Sequence, residues 1–160
     1  TIPWALVDRE AHDSGSYIVV LRLDGDRTIE VGSLGKIPFP KGFYCYVGSA
    51  KQYLTKRVAR HQRITKNHHW HIDYLREHTS FHAAIPIRTT AGLECEIASE
   101  LASIATWQVP GFGRSDCGCR THLFVVQDDP VHNRKFIDML LYFRMGKLEE
   151  ELDDKMMDTN

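Results

Sequence analysis

The sequence predicts one α/β (α+β) domain, with a small mixed, mainly antiparallel sheet flanked by helices and followed by a C-terminal helical extension. Residues 17–23 and 43–47 are short runs of β-branched and aromatic side chains, which are typical of strands. Apolar side chains recur at helical spacing after residues 50, 92 and 130. The 160 residues suit one compact domain. We expect residues 1–128 to form the functional domain, and residues 129–160 to add a helix and an acidic tail to the same unit.

The first half of the chain is predicted to hold strands, a loop and a basic helix. The run at residues 17–23 ends at an Asp-Gly-Asp turn, so residues 28–31 are expected to return beside it as a hairpin. Residues 32–42 contain three glycines and two prolines, which predicts a loop. The strand at residues 43–47 is expected to end at Gly48, before an amphipathic basic helix that covers about residues 50–64.

The second half predicts two strands and three helices. Residues 70–77 suit a short helix, and the alternating apolar residues at 81–87 predict a strand. Gly92 opens a helical stretch whose apolar stripe is Leu93, Ile97, Leu101 and Ile104. An apolar strand follows at residues 123–126. A helix start is then expected at Asp128-Asp129-Pro130, because proline suits the first turn and acids suit the N-terminal dipole.

The composition excludes several classes of protein. Hydrophobic residues make up 42% and charged residues 26% of the chain, which is ordinary for a globular protein and argues against disorder. No apolar run approaches the roughly 18 residues that a spanning helix needs, and no segment resembles a signal peptide. Four cysteines are too few and too irregular for a disulfide framework. We expect a cytoplasmic protein with no membrane partner.

Positive charge is concentrated in the middle of the chain, although the net charge is only −1. Between Lys36 and Arg88 there are ten Lys or Arg residues and two acids, Asp73 and Glu77. The segment from Met145 to Asn160 instead carries six acids. A local basic face of this kind indicates a phosphate-bearing partner, although a solvated charged surface explains the same pattern.

Two tripeptides, a helical arginine and a helical glutamate occur in a suggestive order. Gly15-Ser16-Tyr17 opens the first strand, Tyr46-Val47-Gly48 closes a later one, and Arg57 and Glu94 follow on helices. In this order the sequence resembles the GIY-YIG nuclease superfamily. The longer words YVGSA, HWHIDYL, ECEIA and FGxSDCxC resemble an uncharacterised prokaryotic branch of it. The long spacing between the two tyrosines then requires an inserted hairpin and loop.

The resemblance implies a metal-dependent endonuclease with a small antiparallel sheet. It gives Tyr17 the role of general base or water-positioning partner, makes Tyr46 an organiser of the water network and makes Arg57 a phosphate clamp. Glu94 would hold Mg²⁺ or Mn²⁺, and Gly48 would let the backbone approach closely. Tyrosine, with a pKa of about 10, needs a nearby cation to act as a base at neutral pH.

Some assignments stay open between neighbouring residues. Glu94 best fits the metal position, Glu96 ranks second as a metal ligand and Glu100 competes with both. His61 lies one turn after Arg57, which suits a second base, a hydrogen-bond donor to phosphate or a partly buried helix histidine. The predicted contacts to substrate are Gly48, Ser49, Lys51, Arg60, Arg63 and Lys66.

A second group of residues invites a zinc interpretation. Cysteine and histidine are the usual zinc ligands, and Cys117, Cys119 and His122 lie close together in the sequence. The run His68-His69-Trp70-His71 with Asp73 has a similar composition. Packing or a wall of the substrate site is the preferred explanation for both.

The resulting prediction is a Mg²⁺-dependent endonuclease that cuts DNA, with RNA left open as a substrate. The main alternative is a nucleic-acid-binding module that does not cleave its ligand. Whether zinc stabilises such a module is left open. A third hypothesis is a structural or protein-interaction domain that uses the C-terminal helix. The oligomeric state is left open, and the same helix offers one surface for a dimer.

Overall fold

The computed structural model describes residues 13–88, 92–113, 119–146, 152–154 and 156–157. Its centre is a five-stranded antiparallel sheet with the strand order β5-β1-β4-β7-β6. These strands are β1 (Gly15–Leu23), β4 (Gly42–Ala50), β5 (Ser80–Arg88), β6 (Trp107–Gln108) and β7 (Leu123–Val126). The predicted fold class, a mainly antiparallel sheet flanked by helices, is confirmed.

The sheet is accompanied by the α-helices α1 (Leu54–Gln62), α2 (His71–Arg76), α3 (Glu94–Ile104) and α4 (Arg134–Leu141). A π-helical turn, Tyr142–Gly146, extends α4. None of the helices in the described ranges is long and apolar enough to cross a membrane. The predicted helix start at residues 128–130 is instead a 3₁₀ turn, Pro130–His132, and the side chain of Asn133 caps α4 three residues later.

The helices cover the two faces of the sheet, because side chains of a strand alternate between faces. On one side, here called the tyrosine face, Tyr17, Val19, Tyr44 and Tyr46 pack with α1 and α2. On the other side, the aliphatic face, Ile18, Val20, Cys45 and Val47 pack with α3 and α4. The two buried clusters together make a three-layered helix–sheet–helix structure.

Two predictions about the first strands were wrong. Residues 28–31 do not return beside β1, since β2 (Arg27–Glu30) pairs only with β3 (Lys36–Phe39) in a separate two-stranded sheet. The predicted loop therefore contains a strand, with its glycines in a 3₁₀ turn at Gly32–Leu34. This small sheet lies in the chain between β1 and β4.

Gly48 does not end its strand, contrary to expectation. β4 continues to Ala50, and Gly48 faces Tyr17 across the β1–β4 pair. A Cβ atom on Gly48 would lie 2.3 Å from the Cζ and Oη atoms of Tyr17. Glycine is required there because the tyrosine ring packs onto the neighbouring backbone, not because the chain turns.

Candidate active site

The two predicted tyrosines lie on neighbouring strands and on the same face of the sheet. Tyr17 of β1 pairs with Gly48 of β4, and Tyr46 lies two residues before Gly48, so both rings project into the tyrosine face. Both side chains are buried. Gly113 packs against Tyr46, since a Cβ there would lie 3.0 Å from its ring.

His61 of α1 joins the two tyrosines. Its Nε2 atom lies 2.8 Å from the hydroxyl of Tyr17, and its ring centre lies 5.7 Å from that of Tyr46 and 5.6 Å from that of Trp70. His61 is 2% exposed, and its Nδ1 has no hydrogen-bond partner among the described residues. Burial, assisted by the nearby charge of Lys66, lowers its pKa to about 4. The ring is therefore neutral at pH 7, which allows it to accept or donate a proton at Nε2.

Burial also controls the ionisation of the tyrosines. It raises the pKa of Tyr17 and of Tyr46 well above the usual tyrosine range, and the charge of Glu94 raises both further. The guanidinium of Arg57 acts in the opposite direction on both phenols. The phenols are therefore protonated at neutral pH, and they would lose a proton only if additional positive charge approached them.

Arg57 and Glu94 meet at a residue of β4. Arg57 Nη1 donates to the carbonyl oxygen of Ser49 over 2.5 Å, and the Ser49 hydroxyl donates to Glu94 Oε2 over 3.0 Å. The guanidinium also lies 5.2 Å from the ring centre of Trp70. Arg57 comes from the helix on the tyrosine face, whereas Glu94 begins the helix on the aliphatic face. The end of β4 thus brings a cation and an anion together from opposite sides of the sheet.

Glu94 contacts His122, accepts a hydrogen bond from Ser49 and is ionised at neutral pH. Its Oε1 lies 3.1 Å from Nδ1 of His122, and its Oε2 accepts from Ser49. Burial opposes ionisation of Glu94, but the contacts with His122 and Ser49 and the charge of Arg57 prevail and lower its pKa. The side chain is 27% exposed. It is therefore a carboxylate of fixed orientation that solvent and ligands can reach.

Of the three competing glutamates, Glu94 is the one whose contacts with Ser49 and His122 place it in this cluster. Glu96 and Glu100 are exposed on α3, and Glu100 borders a groove formed with Lys135 and Asp138 of α4. Glu96 follows Glu94 by two residues and therefore projects from the opposite side of the helix. The described residues contain no group of three or more His, Cys, Asp or Glu side chains arranged to hold a metal ion.

Two of the predicted phosphate contacts are directed inwards. Both terminal nitrogens of Arg60 donate to the Asp73 carboxylate over 3.0 Å, and Lys66 Nζ lies 3.6 Å from the same carboxylate. Lys66 also donates to the carbonyl oxygens of Arg60 and His61. Burial opposes ionisation of Asp73, yet these donors and two backbone amides lower its pKa to about 2. Lys51 and Arg63, in contrast, are exposed near the two ends of α1.

The histidine run does not form a cluster. His68 stacks on Tyr74, and its ring contacts Glu77. The backbone amide of His69 donates to Asp73, while Nδ1 of His71 accepts from the backbone amide of Gly113. The segment thus connects α2 to neighbouring elements, and Asp73 organises it from the third position of that helix.

The predicted zinc residues are only partly described. Cys117 lies outside the described residues. His122 contacts Glu94 through Nδ1, and the sulfur of Cys119 lies 2.7 Å from that of Cys95. The sequence pointed to His122 as a zinc ligand. The structure instead places it against Glu94, a contact that the sequence does not indicate.

Sequence reasoning missed a buried hydroxyl opposite Ser49. Ser16 of β1 pairs with Ser49 of β4, and both side chains belong to the same face of the sheet. Ser16 is 1% exposed, and its Oγ has no hydrogen-bond partner among the described residues. The sequence signal that could have identified Ser16 is its position within the tripeptide Gly15-Ser16-Tyr17.

The fold and this cluster define a mixed α/β protein with a polar site at the end of its central strand, built from two phenols, an imidazole, a guanidinium and a carboxylate. The chain belongs to the family described as "Domain of unknown function DUF123", whose model matches residues 16–144. No match to the chain was found among curated proteins or among solved structures.

Proposed function

We propose that the chain is a metal-dependent endonuclease that hydrolyses phosphodiester bonds in DNA, as its GIY-YIG resemblance implies. One observation carries the proposal: Arg57 and Glu94 both contact Ser49, beside the buried pair of Tyr17 and His61. Hydrolysis of a phosphodiester needs positive charge for the phosphoryl oxygens, an activated water and stabilisation of the leaving oxygen. The residues of this cluster can contribute to each of these requirements.

Arg57 is the proposed phosphate clamp. A guanidinium has five N–H donors, so the bond to Ser49 leaves donors for two phosphate oxygens. The Trp70 ring, 5.2 Å away, restricts the orientation of the guanidinium. A lysine could not provide the same bidentate fork.

Glu94 is the residue that would hold Mg²⁺ or Mn²⁺. It is ionised and partly exposed, and each of its oxygens retains lone-pair capacity beyond the contacts with His122 and Ser49. Mg²⁺ typically binds one or two carboxylates and keeps several waters, so one glutamate fits this metal. When bound, the metal would supply Lewis-acid stabilisation of the phosphoryl and leaving oxygens. Ser49 and His122 would fix the orientation of the carboxylate.

Tyr17 and His61 form the proposed proton path. The Tyr17 oxygen takes a proton from the attacking water while its own proton moves to Nε2 of His61, 2.8 Å away. The resting pKa of His61, about 4, makes it a weak acceptor. An anionic phosphate nearby would stabilise the imidazolium and raise that pKa. Tyr46 packs against the His61 ring and would help to position the water.

The proposed nucleic-acid surface lies around α1. Lys51 and Arg63 are exposed there, and Lys56 extends over the exposed ring of Tyr53, with its Nζ 4.9 Å from the ring centre. Contacts of this type bind the phosphate backbone without reading the sequence. Arg60 and Lys66 would support this surface from within through Asp73.

A nucleic-acid-binding module without cleavage is the second candidate. The observation that favours it is that the resting groups already have partners: Glu94 contacts His122 and Ser49, and the Tyr17 hydroxyl contacts His61. Such a module would bind nucleic acid in a salt-dependent way and give no products with Mg²⁺ or Mn²⁺.

The test compares cleavage by the wild-type chain, Arg57→Ala and Glu94→Gln. Plasmid, branched DNA, single-stranded DNA and RNA are incubated with the protein, with and without Mg²⁺ or Mn²⁺. We expect metal-dependent cutting by the wild type and a loss of at least about 100-fold in each variant, because each removes charge stabilisation used in the transition state. Circular dichroism checks that both variants remain folded.

Glu96→Gln and Arg63→Ala are the matched controls. Glu96 lies on the same helix as Glu94 but projects from its opposite side. Its replacement should therefore leave the cleavage rate within about two-fold of the wild type. Arg63→Ala should weaken binding and its salt dependence without abolishing cleavage. Unchanged metal-dependent cutting in both site variants would refute the site assignment, and binding without any products would favour the second candidate.

A further inference from the structure

Two cysteines lie side by side next to the candidate site. The sulfur atoms of Cys95 and Cys119 are 2.7 Å apart, although the residues are 24 positions apart in the chain. A disulfide bond is about 2.05 Å long, so less than about 1 Å separates this contact from a covalent one. Cys95 is exposed, and Cys119 is half-buried. Both conditions for disulfide formation, proximity and access for a small reagent, are therefore met.

The third described cysteine has a different environment. Cys45 is fully buried in the middle of β4, and burial raises the pKa of its thiol to about 12. The thiolate is the reactive form of cysteine, so Cys45 is expected to be inert. The chain thus provides its own unreactive control.

The cysteine pair connects the two segments that hold Glu94. Cys95 follows Glu94 in the first turn of α3, and Cys119 precedes His122 by three residues. Glu94 and His122 contact each other at 3.1 Å. A bond between Cys95 and Cys119 would therefore fix the start of α3 to the segment that leads into β7.

A cavity beside the two thiols gives a small reagent room to approach. Its volume is about 290 Å³, and its lining includes Ala98, Ala102 and Phe124 beside the two cysteines.

We propose that Cys95 and Cys119 are a redox-active pair that forms a reversible intramolecular disulfide. With a peroxide as the oxidant, the exposed Cys95 thiolate attacks the O–O bond, forms a sulfenic acid and releases water after protonation. The Cys119 thiolate then attacks the Cys95 sulfur and expels a second water. In total, two thiols and hydrogen peroxide give one disulfide and two waters. A small dithiol reverses the reaction by exchange. This assignment does not rest on nuclease activity.

The experiment treats the reduced 160-residue chain with hydrogen peroxide and maps its peptides without reduction. We expect a peptide pair linked through Cys95 and Cys119, a loss of two titratable thiols per chain and recovery of both with dithiothreitol. Cys95→Ser and Cys119→Ser should each abolish this link, whereas Cys45→Ser should leave it unchanged.

A Cys117→Ser variant shows which cysteine bonds to Cys95, because Cys117 lies only two residues from Cys119. The Cys95–Cys119 link should still form in that variant. A link that joins Cys117 to either residue in the wild type, or a peroxide-treated chain that keeps all of its thiols, would overturn the proposal. These outcomes are read from peptides and thiol counts, so they are independent of any cleavage assay.

Discussion

The two faces of the central sheet differ in what they bury. On the aliphatic face, α3 and α4 pack through apolar side chains such as Ile97, Leu101 and Phe136. On the tyrosine face, α1 and α2 cover the two phenols and bury an imidazole that is hydrogen-bonded to Tyr17 and a carboxylate that is hydrogen-bonded to Arg60. Apolar burial contributes about 1.5–3 kcal/mol per large side chain, whereas buried polar groups cost free energy unless they are paired. Both faces therefore supply apolar burial, and the tyrosine face in addition holds polar groups in a fixed geometry.

The largest expected effect comes from removing the carboxylate that organises the tyrosine face. Asp73→Ala leaves Arg60 and Lys66 without their buried partner and frees the amides of His69 and Trp70. We expect a loss of about 3–5 kcal/mol in the free energy of unfolding, measured by urea denaturation.

The control for this prediction is an aspartate on the other side of the molecule. Asp138 forms an exposed ion pair with Arg134 on α4, and Asp138→Ala should change the free energy of unfolding by no more than about 0.5 kcal/mol. Equal losses in the two variants would contradict the special role of Asp73.

A smaller effect is expected from adding a methyl group between the strands. Gly48→Ala places a Cβ 2.3 Å from the Tyr17 ring, so the ring must move away from β4 and from His61. We expect a destabilisation of about 1–3 kcal/mol by thermal or urea unfolding.

Gly25→Ala is the matched control, because a Cβ at Gly25 would meet no atom within 4 Å. It should change stability by less than about 1 kcal/mol. A Gly48→Ala variant as stable as the wild type would mean that Tyr17 does not pack against this glycine.

The most gradual effect is a pH dependence that arises from His61. Its pKa is about 4 in the folded chain, below the value of about 6.5 for an unfolded histidine. Between these values the unfolded state binds the extra proton, so stability is retained above about pH 6.5 and is lost as the pH falls towards 4. The contribution is at most about 1.4 kcal/mol per pH unit.

His61→Gln isolates this contribution, because it removes the titrating ring. We expect the free energy of unfolding of the variant to decline less than that of the wild type between pH 6.5 and pH 4. His82→Gln, at a partly exposed pair with Asp129, provides the histidine control. Parallel profiles for wild type and His61→Gln would show that His61 is not buried in its neutral form.

Several strands and helices were predictable because their patterns are local. The β-branched runs identified most of β1, β4 and β7, alternation identified β5, and helical spacing identified α1 and α3. The pairing of β2 with β3 was not predictable, since glycines and prolines in residues 32–42 indicate a loop and the actual partner is chosen by the tertiary fold.

The residue types of the candidate site were predictable, but the contacts between its side chains were not. The order of Tyr17, Tyr46, Arg57 and Glu94 depends on sequence motifs, and the structure brings these residues to the same end of the sheet. The inward role of Arg60 and Lys66 could not be foreseen, because their spacing on a basic helix gives no indication of a buried carboxylate at Asp73.

The sequence by itself determined the fold class and the residue types of the site, because hydrophobic periodicity and short motifs are local properties of the chain. Only the tertiary structure decided that Glu94 contacts His122 and that Cys119 lies beside Cys95. It also showed that Gly48 has to be a glycine because the Tyr17 ring packs against it. Those outcomes depend on distances between residues tens of positions apart, which are set when both faces of the sheet are covered by helices.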